Sequence, residues 1–304
     1  MTAASDNLIV CEELSKKYGG TDALDRLNLH VPRGSIFGLV GPNGAGKTTA
    51  LKAIMNITAP TSGRATILGV DSRRLGPDDF AQIGYVSENQ KMPDWMTVEY
   101  FMAYLKPFYP TWDDTLAAAL LRDFDLPPAR QLRRLSRGMR MKASLASSLA
   151  YRPKLLVLDE PFSGLDPAVR DEFIEGMLES SFGADTTILI SSHDLAEIES
   201  FASHVGYLER GRLQFSEEMI SLTARFREMV VTLERAEEKL PANLPAAWLR
   251  PQVAAATLRF AASDFDEERT PAEIRQLFPD ARDISAAPMA LRDIFVALAR
   301  RARK

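Results

Sequence analysis

The sequence has one cysteine, three histidines and no long apolar run. Cys11 has no second cysteine to pair with, which excludes an internal disulfide, and its apolar surroundings favour a small buried hydrophobe over a reactive thiol. No stretch approaches the length that a membrane-spanning helix needs. The N-terminal MTAASDNLIV has neither a basic start nor a long apolar centre, so we expect no signal peptide.

Excess positive charge is also missing, since the formal net charge is −4. Proteins that bind nucleic acid non-specifically usually carry a basic surface, so this balance argues against such a partner. The length of 304 residues and the apolar content of 46% allow one large domain, or one domain and a smaller one. We expect a cytosolic protein with a sizeable core.

Short β-rich runs alternate with helical patterns over the first two-thirds of the chain, which predicts an α/β fold with a largely parallel sheet. Continuous apolar runs suit strands buried on both faces. The candidate core strands are residues 35–40, 83–86, 155–158, 186–190 and 204–208. The earlier runs LIVCEEL and LNLHV are expected to form an antiparallel edge layer.

Two other regions depart from this alternation. Residues of about 90–135 lack a strand signal, are rich in aromatics and show helical spacing, which predicts an inserted helical subdomain. Residues 216–304 are expected to form a small C-terminal α+β module. In that module EMVVTLE and ATLRFAA are predicted strands, TPAEIRQLF and ALRDIFVALAR predicted helices, and PANLPAAWLRPQ a proline-rich connection.

A complete phosphate-binding pattern follows the first core strand. The loop is Gly41, Pro42, Asn43, Gly44, Ala45, Gly46, Lys47, Thr48 and Thr49, and a helix is predicted to follow it. Its glycines let backbone N–H groups approach an anion, and the helix N-terminus adds positive potential. Lys47 is then expected to reach the β- and γ-phosphates of a nucleotide, and the Thr48 hydroxyl to bind Mg²⁺.

Two carboxylates, Asp159 and Glu160, end the predicted strand LLVL, at the strand end where ligands bind in open α/β sheets. Asp159 suits a magnesium ligand, and Glu160 suits a base for the attacking water. The alternative, that the pair caps the next helix, is weaker because Asp166 and Pro167 already provide an N-cap and a proline at the first helical position.

These residues together resemble the ATP-binding-cassette ATPases over residues 6–215, through GPNGAGKTT, LSRGM, LLVLDE and SGLDP in that order. The chain is most similar to ATP-binding subunits of bacterial two-component exporters. The resemblance implies that Tyr18 stacks on adenine and that His193 is a switch histidine. It also implies that Ser136, Gly138 and Asp166 contribute to nucleotide binding. Tyr18 as a core-edge aromatic and Ser136 as a helix N-cap are the alternatives.

Two positions depart from the family pattern. The signature Leu-Ser-Gly-Gly-Gln is Leu-Ser-Arg-Gly-Met here, with Arg137 at the third position. Glu88 replaces a glutamine after the strand at 83–86. Glu88 can still bind Mg²⁺ through water, but it adds negative charge beside a phosphate.

The resemblance also implies partners and a location. It implies an ATPase at the cytoplasmic face of the membrane, bound peripherally to a separate permease that exports an unknown substrate. It implies a head-to-tail dimer, either of two copies or with a related subunit, and no nucleic acid. A soluble ATPase of this family that acts on ribosomes or DNA is the alternative function. A small-molecule kinase would leave LSRGM and SGLDP unexplained.

Overall fold

The computed structural model describes residues 6–88, 90–181, 186–235, 240–241 and 243–299. The chain divides into two compact units between Ser216 and Glu217. The strands are β1 (Asn7–Tyr18), β2 (Thr21–Pro32), β3 (Ile36–Val40), β4 (Ser62–Ile67), β5 (Val70–Asp71), β6 (Ile83–Ser87), β7 (Leu155–Asp159), β8 (Thr187–Ser192), β9 (His204–Glu209), β10 (Arg212–Glu218), β11 (Arg227–Leu233), β12 (Trp248–Ala254), β13 (Thr257–Ala262) and β14 (Ala281–Pro288). The helices are α1 (Lys47–Ile54), α2 (Pro77–Phe80), α3 (Val98–Leu105), α4 (Asp114–Asp123), α5 (Arg137–Leu149), α6 (Pro167–Ser181), α7 (Leu195–Glu199), α8 (Met219–Arg225), α9 (Arg269–Leu277) and α10 (Leu291–Ala299).

A six-stranded sheet in the order β10-β9-β3-β8-β7-β6 forms the centre of the first unit. The pairings β3–β8, β3–β9, β6–β7 and β7–β8 are all parallel. The carboxyl ends of β3, β7 and β8 therefore meet at one edge of the sheet, and the phosphate-loop pattern and the carboxylate pair both follow strands that end there. The predicted α/β fold is confirmed, with its core strands close to the predicted bounds.

A second sheet in the order β2-β1-β4-β5 forms the predicted antiparallel layer. Its apolar side chains join those of the central sheet in one buried cluster that includes Leu29, Phe37 and Leu155. Cys11 belongs to this cluster, and burial raises the pKa of its thiol to about 12, which confirms the prediction of a buried hydrophobe.

The segment between β6 and α5 contains the helices α3 and α4. Its described residues form no strand, and their β pairing is limited to an isolated bridge between Thr97 and Gln131. Thr97 and Asp113 accept hydrogen bonds from backbone N–H groups in the first turns of α3 and α4, so each helix starts at a side-chain cap. The inserted helical segment is thus present as predicted. Within the described part of the chain, no helix is long and apolar enough to cross a membrane.

The second unit has an antiparallel sheet in the order β12-β13-β11-β14, with a buried cluster on one face that includes Val231, Leu258 and Ile274. The two predicted strands and two predicted helices are present as β11, β13, α9 and α10. The prediction that WLRPQ belongs to a connection was wrong, because these residues begin β12. β12 is an edge strand, and an edge strand tolerates a proline such as Pro251.

Candidate active site

The loop between β3 and α1 forms one wall of a cleft of 500 Å³ at the carboxyl edge of the central sheet. The cleft is lined by Thr21, Asp22, Ala23, residues 43–49, Glu88, Glu160, Ser163 and His193. The predicted phosphate loop, base and switch histidine are therefore brought together around one space. Thr21, Asp22 and Ala23 were not predicted, because none of them belongs to a motif. Ser163 was not singled out either, although it is the first residue of the SGLDP motif.

Two glycines of the loop are required by close packing. Gly46 has φ of +107°, and a Cβ at this position would overlap the backbone carbonyl oxygen of Ala23. A Cβ at Gly41 would overlap the carbonyl oxygen of Leu208. The loop is thus fitted between neighbouring backbones, and α1 begins with Lys47 immediately after Gly46.

Lys47 is buried, with 5% of its side chain exposed, and its ammonium group lies at the centre of the loop. Its Nζ donates hydrogen bonds to the carbonyl oxygens of Gly41, at 2.7 Å, and Pro42, at 3.3 Å. The same Nζ lies 2.9 Å from Oε1 of Glu160. This charge is therefore desolvated and aimed into the cleft, with a carboxylate as its counter-ion.

Glu160 joins Lys47 to His193. It follows β7 with φ of +50°, an unusual value for a residue other than glycine, and its Oε2 lies 2.8 Å from Nδ1 of His193. Burial acts to raise the pKa of Glu160, but the hydrogen bonds and charges of His193 and Lys47 outweigh burial, so the pKa lies below its usual value. The carboxylate is thus held ionised, as a base must be.

Asp159 is only 3% exposed and accepts two side-chain hydrogen bonds at the same oxygen, Oδ1. Thr48 Oγ1 and Ser191 Oγ each donate at 2.9 Å. Burial raises the pKa of Asp159, although both hydrogen bonds oppose the rise. Ser191 was not predicted. The two serines that end the otherwise apolar strand β8 were a usable signal in the sequence, and Ser191 pairs in register with Asp159.

Comparison with known proteins identifies this arrangement. Residues 24–163 match the family model described as ABC transporter. The ABC transporter ATP-binding protein YtrB of Bacillus subtilis is 33% identical over 241 residues, which cover 77% of this chain and 82% of that protein.

The chain belongs to the ABC transporter family. The bacitracin transport ATP-binding protein BcrA of Enterococcus faecalis is 33% identical over 208 residues, or 68% of each protein. A solved structure of an ATP-binding subunit of an ABC transporter is 27% identical, with a TM-score of 0.64, over 71% of this chain and 92% of that one. The first unit is therefore an ABC ATPase cassette, the domain that binds and hydrolyses ATP to power transport.

In this ABC cassette the signature residues lie outside the cleft of the phosphate loop. Neither Ser136 nor Gly138 is among the described residues that line that cleft. Ser136 is exposed and caps α5 by accepting a hydrogen bond from the Met139 N–H at 3.2 Å. Gly138 is buried, and a Cβ there would lie 2.7 Å from Cγ1 of Val169. The N-cap role, given above as the alternative for Ser136, is thus observed, and the residue is exposed.

Tyr18 and Asp166 also lie outside the lining of this cleft as it is described. Tyr18 ends β1 with half of its side chain exposed, and the Lys16 ammonium lies 5.0 Å from its ring centroid. Asp166 Oδ1 accepts a hydrogen bond from the Val169 N–H at 3.0 Å and so caps α6, as predicted from the Asp-Pro pair.

A divalent cation fits the Thr48 and Asp159 pair. A hydroxyl oxygen and a buried carboxylate oxygen converge there, and hard oxygen ligands of this kind suit Mg²⁺. The third expected ligand, Glu88, has a different partner. Its carboxylate pairs with the Arg137 guanidinium, while its backbone N–H donates to the Asp159 carbonyl oxygen at 3.3 Å.

Proposed function

We propose that this chain is the ATP-hydrolysing subunit of an exporter whose membrane-spanning part is a separate polypeptide. The observation that carries the proposal is the meeting of Lys47 and Glu160 at one cleft of an ABC cassette, with Asp159 bonded to Thr48 of the same cleft. The names of its relatives, transport ATP-binding proteins for bacitracin and for a lantibiotic, support a role in transport, and export as the direction follows from the resemblance to exporter subunits.

We assign the roles in hydrolysis from the geometry of the cleft. The loop 41–49 and the start of α1 bind the phosphates, and Lys47 contacts the β- and γ-phosphates. Glu160 accepts a proton from the water that attacks the γ-phosphorus, while the bond to ADP breaks. His193 holds Glu160 through the contact at Oε2. We assign adenine to Tyr18 from the family resemblance, since Tyr18 is not part of the cleft's described lining; its ring is half exposed.

Magnesium would be held by Thr48 and Asp159, where it neutralises charge on the β- and γ-phosphates. The Thr48 hydroxyl donates to Asp159, and the Lys47 ammonium pairs with Glu160. ATP binding would replace both contacts, because the Lys47 ammonium would then bind phosphate and the Asp159 carboxylate would then hold the cation. Glu160 is then released from Lys47 to act on water.

We further propose that each nucleotide is bound between two cassettes arranged head to tail. Ser136 stands at the exposed start of the 13-residue helix α5, outside the cleft of its own chain, and Gly138 follows two residues later. Asp166 caps α6, the helix whose Val169 packs against Gly138. Two-fold symmetry places the start of α5 of one chain over the phosphates bound by the other. A second copy or a related subunit can provide that surface.

The contact with the membrane permease is proposed for the aromatic surface of the helical segment, formed by Trp95, Tyr100, Tyr104 and Phe108. These side chains are 47–62% exposed, and in the described residues they are four of the nine large apolar side chains that are exposed. Trp95 contacts Tyr100 with a centroid separation of 5.7 Å, and Tyr104 contacts Phe108 at 5.8 Å. An exposed aromatic cluster of this kind favours a protein partner.

This assembly places the chain peripherally at the cytoplasmic face of the membrane. No nucleic-acid partner is proposed, in line with the net charge of −4. No observation favours an action on ribosomes or DNA.

Purification from solubilised membranes of the native host tests the proposal. We expect the tagged chain to bring down one polytopic membrane protein. The double variant Trp95→Ser/Tyr104→Ser should lose this partner and keep ATP binding. Ile220→Ser is the matched control, because Ile220 is 76% exposed but lies in the second unit. Recovery of no membrane protein by the unaltered chain would refute the proposal.

A further inference from the structure

The two departures from the family pattern contact each other. The Arg137 guanidinium donates to the Glu88 carboxylate, although the two residues are 49 positions apart in sequence. Arg137 is the first residue of α5, and Glu88 directly follows β6. The family's glycine and glutamine at these positions would form no ion pair.

Glu88 lies between two clefts. It lines the phosphate-loop cleft together with Lys47 and Glu160. It also lines a neighbouring cleft of 380 Å³ at the start of α5, together with Arg137. The Glu88 N–H donates to the Asp159 carbonyl oxygen, so the backbone of Glu88 is held beside the strand end that carries the catalytic pair.

Arg137 is also placed by a second contact, with the turn before α6. Gly164 has φ of +66°, and a Cβ there would lie 2.5 Å from Nη1 of Arg137. The guanidinium therefore occupies the space that a side chain would fill. Ser163, the preceding residue, lines the phosphate-loop cleft. Arg137 thus bridges two segments that border the nucleotide cleft of its own chain.

We propose that Arg137 is a positioning residue of this cleft, which neutralises Glu88 and holds its carboxylate away from the phosphates. The inference rests on the proposed binding of ATP at the phosphate loop. A neutral glutamine needs no cation beside it, whereas a carboxylate adds a full negative charge to a site for a polyanion. The charges of Glu88 and Arg137 thus compensate each other. Helix α5 then contributes Arg137 to the cleft of its own chain and Ser136 to the cleft of a partner chain.

A double-mutant cycle tests the proposal by equilibrium ATP titration in a Glu160→Gln parent, where slow turnover does not disturb binding. Arg137→Ala should bind ATP about three- to tenfold more weakly, the size expected for one partly exposed charge. The loss should shrink at high salt, because salt screens exposed charges. Arg137→Lys should restore much of the affinity, and Arg137→Ala/Glu88→Gln should bind within about twofold of the parent.

Arg133→Ala is the matched control. Arg133 bonds to Gln131 just before the signature and is not part of either cleft's described lining. It should bind like the parent, and thermal melts should show that all variants are folded. If Arg137→Ala is neutral, or if the double variant is as weak as Arg137→Ala, this inference is wrong and the ATP site stands. If the parent itself binds no ATP, the proposed function fails, and the inference fails with it.

Discussion

Lys47 and Glu160 form an ion pair of 2.9 Å, so the residue assigned to phosphate and the residue assigned to water are bound to each other. Both side chains are largely buried, with 5% and 17% exposed. A buried lysine without a counter-ion would be costly, and Glu160 relieves that cost. The pair therefore links the entry of ATP to the release of the base.

The substitution Glu160→Gln tests this link. It should slow single-turnover hydrolysis by about 10²–10⁴-fold, the usual contribution of a general base. ATP affinity should be retained or increased, because Lys47 no longer has to break an ion pair with Glu160 before it binds phosphate. Quench-flow hydrolysis and nucleotide titration measure the two effects separately. Turnover at the unaltered rate would show that Glu160 is not the base.

Asp159→Asn should make the nucleotide-free chain more stable. Because burial raises the pKa of Asp159, the ionised form is less favourable in the folded chain than in the unfolded one. The resulting cost appears as the pH rises past the unfolded pKa of about 3.9. Asparagine keeps an acceptor for Thr48 and Ser191 and removes the charge. We expect the melting temperature to rise by roughly 1–4 °C at neutral pH, and by less at about pH 4.

The same variant should lose the additional stabilisation that Mg²⁺ gives in the presence of ATP. Asp171→Asn is the matched control, because Asp171 is 65% exposed in α6 and is not part of the cleft's described lining. It should show neither effect. A melting temperature of Asp159→Asn that falls, or a Mg²⁺ response that is unchanged, would contradict the assignment of Asp159 as a buried metal ligand.

The proposed dimer can be tested at Ser136 without disturbing the fold. Aspartate and asparagine both replace serine well as an N-cap, but only aspartate adds a charge. Glu160→Gln should form an ATP-dependent dimer, measured by light scattering. Adding Ser136→Asp should weaken it by about 1–4 kcal/mol for a unit charge at ~4 Å from a phosphate, whereas Ser136→Asn should have a small effect. A dimer equally stable with either substitution would contradict a phosphate contact at Ser136.

Gly138 is a less suitable position for this test. Any side chain there would first meet Val169 of the same chain, at 2.7 Å for the Cβ alone. A loss of dimer in a Gly138 variant would therefore report local packing as well as charge.

The motifs that were predictable from sequence are those in which neighbouring residues build one feature. The phosphate loop, the carboxylates after β7 and the cap at Asp166 all follow from local patterns. Contacts between distant segments were not predictable. The bond between Arg137 and Glu88 depends on where α5 starts relative to β6, and the approach of Gly138 to Val169 depends on how two helices pack.

In the second unit, too, only some of the strands could be predicted from the sequence. β11 and β13 are the central strands of its sheet and carry the apolar residues that a sequence pattern detects. β12 and β14 are the edges. Pro251 made the sequence of β12 resemble a connection rather than a strand. Most residues of β14 are exposed, so its sequence ARDISAAP shows little alternation of apolar and polar residues.

The most direct test of a nucleotide site shared by two chains is to mix two defective variants. Lys47→Ala destroys the phosphate loop of its chain, and Ser136→Asp blocks the helix start of its chain, so each variant alone should hydrolyse little ATP. In a head-to-tail dimer of the two, one site combines both defects and the other has none. An equal mixture should therefore recover activity, up to about one quarter of the unaltered rate for random pairing. A mixture no more active than the sum of its two components, with the membrane partner present or absent, would contradict the account.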